Sequence, residues 1–179
     1  MAERDKLYHQ IMSHGWNPQN GTFTQHYGSD VLDASLLLMP LMGFVSPTDP
    51  MWLSTLEAMD HELVSDSLVY WYNPSASPDG LRGHEGTFSL CTFFYVDALA
   101  RSGRLTEAEL TFQKIHTYAN HLGLYSEEIG LTGEQLGNFP QAFSHLALIN
   151  AAINLDYQLD HGAGNVEPVL ARAQGATAS

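Results

Sequence analysis

The segment from residue 86 to residue 102 restricts the fold of this chain most, because it is apolar on nearly every side. Its large apolar residues recur at helical spacing and leave no continuous polar face: Phe88, Leu90, Phe93, Phe94, Val96 and Leu99. A helix of this kind is stable only when neighbouring elements bury it on several sides. Gly103 ends it. The segment therefore predicts a buried helix inside an all-α domain.

The rest of the chain follows the same helical period, with no sustained alternation of apolar and polar residues. Five further helices are predicted, near residues 3–13, 30–39, 50–64, 105–121 and 138–159. In the last one Asn138 is the expected N-cap, with Gln141 three residues on. Its large apolar residues are expected to face inward: Phe139, Phe143, Leu146, Ile149 and Ile153.

Six helices joined by alternating short and long loops indicate an array of α/α hairpins. A solenoid of helical repeats stays open as an alternative, although no segment repeats at a fixed period. From residue 161 onward Gly, Ala, Thr and Ser dominate, and this stretch is expected to be a disordered tail.

Charge and composition exclude several classes of protein. Seven Lys and Arg residues stand against 20 Asp and Glu residues, a net charge of −13. Binding to nucleic acid or to an anionic membrane surface needs the opposite sign, so neither partner is expected. The longest apolar run, residues 36–45, is interrupted by Pro40 and Gly43 and is too short to span a bilayer. With no apolar leader among the first residues, a cytoplasmic protein is expected.

The single cysteine and the nine histidines do not predict a metal site. Cys91 lies among apolar residues and is expected to be a buried thiol, and one cysteine forms no internal disulfide. The pairs His61-Glu62 and His84-Glu85 lack the second histidine of the zinc motif HExxH. No phosphate-binding or dinucleotide-binding glycine motif occurs. The chain is therefore expected to need no metal and no cofactor.

The carboxylates of the loop at residues 123–141 are the remaining candidates for chemistry. Glu127 and Glu128 are adjacent, so on an extended backbone they point to opposite sides. A held carboxylate can act as a general base on water. Acidic residues also favour positions before a helix because of the helix dipole. The residues alone favour that interpretation for Glu127 and Glu128, and likewise for Glu134 and Glu85. Aromatic residues flank the same loops and indicate a carbohydrate site before a metal site: Tyr70, Trp71, Tyr72, Phe88 and Tyr125.

Three long segments resemble glycoside hydrolase family 15, which contains glucoamylases, bacterial trehalases and related α-glucosidases. They are FTQHYGSDVLDASLLLMPLMGF at 23–44, EGTFSLCTFFYVDALARSGRLTEAE at 85–109 and GLYSEEIGLTGEQLGNFPQAFSHLALINAA at 123–152. The turn at Asp49-Pro50 is also similar, and the resemblance extends to about Leu159.

The resemblance implies an (α/α)6 barrel, of which residues 1–160 would form the C-terminal half, about six of twelve helices. It implies inverting hydrolysis of an α-glucoside, either a maltooligosaccharide or trehalose, with Glu127 as the general base. It places Trp71, Glu85, Tyr125 and Glu128 at the substrate.

Two departures from the family pattern bear on activity. The IWE-type motif that carries the family's general acid does not occur in this chain. Trp71 stands where the family has an arginine, so charge-assisted hydrogen bonds to the sugar are lost. The chain alone is therefore expected to be inactive or very weak, and a non-catalytic module that binds carbohydrate or a partner helix, or an inactive remnant, stays open. Because half a barrel exposes apolar surface, pairing with an N-terminal half-barrel or self-association is expected.

Overall fold

The computed structural model describes residues 2–73 and 85–162. Its α-helices are α1 Ala2–His14, α2 Leu38–Leu41, α3 Pro50–Glu62, α4 Ser89–Arg101, α5 Leu105–His116 and α6 Ala142–His161, and a 3-10 helix spans Ala34–Leu37. The prediction of a mainly helical domain is confirmed. The loop at 74–84 and the tail from 163 lie outside the described residues.

Seven two-residue strands complete the described chain: β1 Trp16–Asn17, β2 Thr22–Phe23, β3 Val64–Ser65, β4 Leu68–Val69, β5 Thr87–Phe88, β6 Glu128–Ile129 and β7 Gln135–Leu136. They form three antiparallel sheets, β1-β2, β3-β4 and β5-β6-β7. In the third sheet Phe88 lies opposite Glu128, and Glu128 lies opposite Leu136. Strands this short contain too few residues to show an alternating pattern, so the sequence did not predict them.

Helix α4 is the centre of the core, as its apolar sequence predicts. Phe93, Val96 and Leu99 are completely buried, and α4 packs against both α5 and α6. Helix α3 begins at the predicted place. The Asp49 carboxylate accepts hydrogen bonds from Met51 N–H at 2.8 Å and Trp52 N–H at 3.4 Å, with Pro50 in the first turn.

The orientation predicted for α6 is wrong. Its buried residues are mostly small or polar: Ser144, Ala147, Ala151, Asn154, Leu155 and Gln158. The large apolar residues expected to face inward are exposed, with Phe143 at 67 %, Leu146 at 57 % and Ile149 at 53 %, and Phe139 and Ile153 are exposed as well. Small side chains on the buried face let α6 approach α4 closely. We refer to Phe143, Leu146, Ile149 and Ile153 as the outer face of α6.

Three predicted helix boundaries also differ. Helix α6 begins at Ala142 with Gln141 as N-cap, not at Asn138, which lies in a loop before the cis Phe139–Pro140 peptide. The predicted helix at 30–39 is a 3-10 turn capped by Asp33, followed by the short α2. Helix α5 ends at His116, because the Asn120 side chain then accepts hydrogen bonds from the N–H groups of residues 122 and 124 and forms a turn.

The prediction for Cys91 is confirmed, since this thiol is 1 % exposed. Burial, and secondarily the negative charge of Asp33, raises the pKa of the Cys91 thiol far above its ordinary value. Across residues 2–73 and 85–162, none of the helices is both long enough and apolar enough to cross a membrane.

Candidate active site

The carboxylate-bearing loop is a hairpin built by β6 and β7. Gly130 N–H donates to Glu134 O at 2.8 Å, and Gly133 N–H donates to Gly130 O at 3.0 Å. The Glu134 carboxylate closes this turn by accepting bonds from the Thr132 hydroxyl and from Thr132 N–H at 3.0 Å. These bonds lower the pKa of Glu134. The dipole role expected for Glu134 is wrong, because its carboxylate binds the turn and α6 begins only at Ala142.

The backbone and the carboxylate of Glu127 are both hydrogen-bonded to Asn138, directly after the hairpin. Its backbone N–H donates to Asn138 O at 2.9 Å. Its carboxylate Oε2 accepts bonds from the backbone N–H of Asn138 at 3.0 Å and from the Asn138 side-chain amide at 2.8 Å. Gly137 lies directly beneath: a Cβ there would stand 2.7 Å from Oε2, and its φ is +72°. This half-buried carboxylate therefore has a fixed orientation.

Glu128 is bound by a different segment. Its Oε2 accepts a bond from Gly86 N–H at 2.9 Å. Gly86 is required there, because a Cβ would lie 2.5 Å from the Ile129 carbonyl oxygen of the neighbouring strand. Glu127 and Glu128 thus use separate partners, in agreement with their opposite directions on an extended backbone.

Trp71 and Glu85 both lie close to strand β5. The Tyr72 hydroxyl donates to Glu85 Oε1 at 3.4 Å. The Trp71 and Phe88 rings meet edge to face, with centroids 5.3 Å apart. Trp71 contacts β5 through Phe88, Glu85 lies two residues before β5, and Glu128 lies on the central strand β6, which pairs with β5.

Tyr125 lies beneath the loop and not on its surface. It is 2 % exposed, and its ring meets those of Phe93 at 5.3 Å, His145 at 5.8 Å and His116 at 6.2 Å. Burial raises the pKa of the Tyr125 hydroxyl. A direct sugar contact does not fit this position. Tyr125 supports the hairpin through packing, and its influence on the shape of a substrate pocket stays a prediction.

Sequence reasoning missed the residue that holds Glu127. The sequence favours Asn138 as a helix cap, whereas its backbone N–H and its side-chain amide both donate to the Glu127 carboxylate. The Gly137-Asn138 pair is itself a turn signal and was the available clue. Among the described residues, no group of three His, Cys, Asp or Glu side chains is placed to hold a metal ion.

Comparison with known proteins decides the family. The model of the family described as "Glycosyl hydrolases family 15" matches residues 1–153. The chain belongs to glycosyl hydrolase family 15. The resemblance drawn from the sequence motifs is therefore confirmed.

Two family 15 relatives show how much of a longer protein this chain corresponds to. It is 42 % identical over 154 residues to a trehalase of Thermoplasma acidophilum, covering 86 % of this chain and 26 % of the relative. It is 45 % identical over 155 residues to a trehalase of Mycobacterium tuberculosis, covering 86 % and 23 %. The chain spans about a quarter of the length of these relatives.

Solved structures support the fold. A wild-type glycosidase superposes with a TM-score of 0.69 at 20 % identity, over 85 % of this chain and 43 % of the other. A glycosidase variant in complex with glucose gives a TM-score of 0.71 at 20 % identity, with the same coverage. The mainly helical structure is consistent with part of an all-α barrel of family 15.

Proposed function

We propose that this chain supplies the general-base side of an inverting α-glucoside hydrolase, with Glu127 as the base. The geometry of the Glu127 carboxylate carries the proposal. Both donors of Asn138 bind the same oxygen, Oε2, and within the described residues Oε1 accepts no hydrogen bond. The carboxylate is thus fixed in direction and keeps one oxygen for a water molecule, which is what a base in inverting hydrolysis needs.

Trp71, Glu85 and Glu128 are proposed to bind the sugar beside Glu127. Trp71 contacts β5 through Phe88 and offers an aromatic ring, and the carboxylates of Glu85, beside β5, and of Glu128, on β6, offer acceptors for hydroxyl groups. Glu128 is less suited to be the base, because its bound oxygen ties it to Gly86 within the strand pairing. Trehalose is the favoured substrate, because relatives at 42 % and 45 % identity are named trehalases, with a maltooligosaccharide as the alternative.

The general acid belongs to another part of the protein in this proposal. Inverting hydrolysis uses two carboxyl groups about 6.5–9.5 Å apart, and the sequence lacks the acid-bearing motif. The exposed outer face of α6 supports pairing with an N-terminal half-barrel or, failing that, self-association. The cytoplasmic location expected from the sequence stays a prediction.

Complementation of this chain with an N-terminal portion tests whether Glu127 is the general base. The chain is mixed with the N-terminal portion of a family 15 trehalase, and glucose release from trehalose and from maltose is measured. We expect Glu127→Gln to reduce kcat by about 10²–10⁴-fold. Glu128→Gln is the matched control, since it makes the same chemical change one residue away, and it should raise KM more than it lowers kcat. Equal kcat for Glu127→Gln and the unmodified chain would remove Glu127 from this role.

A non-catalytic sugar-binding module is the second candidate, favoured by the packed Trp71–Phe88 pair at the site edge. Calorimetry with glucose, maltose and trehalose separates the two. Binding that survives Glu127→Gln but is lost in Trp71→Ala, with no hydrolysis after complementation, supports the module. Hydrolysis that depends on Glu127 supports the enzyme.

A further inference from the structure

The first turn of α6 is hydrogen-bonded to the backbone just before Glu127. Gln141 N–H donates to Tyr125 O at 3.1 Å. The completely buried Ser144 hydroxyl donates to Gln141 Oε1 at 2.6 Å, with Ser126 O as a second, longer acceptor at 3.2 Å. Tyr125 N–H donates to His145 Nε2 at 3.3 Å. One helical turn thus binds two successive residues of the loop.

The contacts of His145 indicate which ring nitrogen carries the proton. Nδ1 lies 2.6 Å from the Gln141 carbonyl oxygen, and because a carbonyl only accepts, Nδ1 carries the proton. Nε2 accepts the Tyr125 N–H, so it carries none. The Nδ1–H tautomer of His145 therefore uses both ring nitrogens.

Two other described histidines, His14 and His116, make the local half of this arrangement. His14 Nδ1 lies 3.0 Å from Gln10 O, and His116 Nδ1 lies 2.8 Å from Phe112 O, each one helical turn back. His145 makes the same local contact, but its Nε2 also reaches a backbone amide 20 residues earlier in the chain.

We propose that His145 is a positioning residue for Glu127, acting as the Nδ1–H tautomer through the amide of Tyr125. Glu127 is held from the other side by its backbone bond to Asn138 O at 2.9 Å. The loop is therefore fixed both before and at the residue that bears the carboxylate. This inference rests on the proposed role of Glu127 as base.

The tautomer is tested first, on the chain itself. Two-dimensional ¹H–¹⁵N correlation of ¹⁵N-histidine-labelled chain reports which ring nitrogen is protonated. We expect His145 to show a protonated Nδ1 and a bare, accepting Nε2 at neutral pH. A protonated Nε2 at His145 would overturn the proposal.

Substitution then tests the effect on the loop. His145→Leu keeps the bulk but removes the acceptor, whereas His145→Gln places an amide oxygen where Nε2 stands. Hydrogen exchange of the Tyr125 amide should rise about tenfold in the leucine variant and stay near the original rate in the glutamine variant. Exchange in α4 should not change. His14→Leu is the control and should leave the Tyr125 amide unaffected. Exchange that rises equally in α4, or not at all at Tyr125, contradicts a positioning role.

The complemented enzyme separates this inference from the proposed function. If Glu127 is the base, His145→Leu should lower kcat about tenfold at nearly constant KM, and His145→Gln should restore it. If Glu127→Gln itself leaves kcat unchanged, the proposed function fails, whatever the tautomer and exchange results show. If Glu127→Gln abolishes activity while His145→Leu leaves kcat intact, the positioning role fails alone.

Discussion

Three glutamates of one hairpin have different tasks because they have different partners. Glu134 binds the turn that contains it, Glu128 binds the neighbouring strand through Gly86, and Glu127 binds Asn138. Residue type and position near a helix do not distinguish them. The identity of the donors does: each carboxylate accepts through Oε2, from its own turn in Glu134, from the residue before β5 in Glu128, and from the backbone N–H and side-chain amide of Asn138 in Glu127.

Gly137 is expected to be required beneath Glu127. In Gly137→Ala the new Cβ meets Oε2 at 2.7 Å, so the carboxylate must move, and the φ of +72° adds strain. Gly123→Ala is the matched control, since its φ is +75° with nothing within 4 Å. Both should lose about 1 kcal/mol of unfolding free energy in urea.

Only the Gly137 substitution should shift the NMR signals of the Asn138 side-chain amide and lower the kcat of the complemented enzyme. Unchanged Asn138 signals in Gly137→Ala would show that Glu127 is not seated on this glycine.

The Cys91 thiol is expected to resist alkylation in the folded chain. Burial raises its pKa and disfavours the thiolate, which is the reactive form. Between pH 7 and pH 9 iodoacetamide labelling should accelerate strongly in urea-unfolded chain and hardly at all in folded chain, where it is at least about 100-fold slower. Mass spectrometry of timed samples measures this. Folded-state labelling that follows the pH dependence of a free thiol would contradict the buried position.

At the scale of the element, α6 shows why apolar residues alone do not identify a core face. Its contact with α4 is formed by small residues such as Ala147 and Ala151, together with Asn154, whose amide lies 3.5 Å from Asp97 O. Beside them the buried pair Arg101–Asp97, 2.7 Å apart, lies on α4, and burial raises the pKa of Asp97 despite the arginine. Close approach of the two helices selects small side chains here, and the large ones lie outside.

Overpacking this contact should be destabilising. Ala151→Leu inserts a leucine at a completely buried position facing α4 and should cost about 1–3 kcal/mol of unfolding free energy. Asn150→Leu introduces the same side chain at the exposed neighbouring position and should change stability by no more than about 0.5 kcal/mol. Urea denaturation followed by circular dichroism compares them. Equal effects would mean that α6 is rotated relative to the structure.

Elements with local signals were predicted well, and those with distant partners were not. The start of α3 follows from Asp49, the N-cap directly before it, and from Pro50 at its first position, and the burial of α4 follows from its own composition. The start of α6 was misplaced because Asn138 binds Glu127, 11 residues away. Glu127 itself was selected by a motif, but Ser144 and His145 contact the loop across 18 and 20 residues, a separation that no sequence period reveals.

For the whole molecule, the outer face of α6 is the main departure from a closed globular surface. Four large apolar side chains are exposed along this one helix, and a contiguous apolar surface of this kind is typical of an interaction site. The net charge of −13 keeps such a chain in solution but does not cover that face. Within the described residues this face is exposed, which is the observation behind the proposed pairing or self-association.

The chain alone is therefore expected to self-associate. The double variant Leu146→Lys, Ile149→Lys should shift sedimentation toward the monomer and weaken binding of an N-terminal half by at least about tenfold, since two buried apolar contacts are lost. Leu110→Lys, at an exposed leucine of α5, is the control and should change neither. A stable monomer for the unmodified chain in analytical ultracentrifugation would contradict this expectation.

Helix α6 has two separate surfaces with different expected contacts. Its outer face is available for association, and its first turn binds the loop that bears Glu127. If the proposed partner binds the outer face and orders the first turn of α6, assembly and loop order are thermodynamically linked. Specific activity should then depend on total protein concentration, and a substrate that engages Glu127 should in turn tighten the assembly.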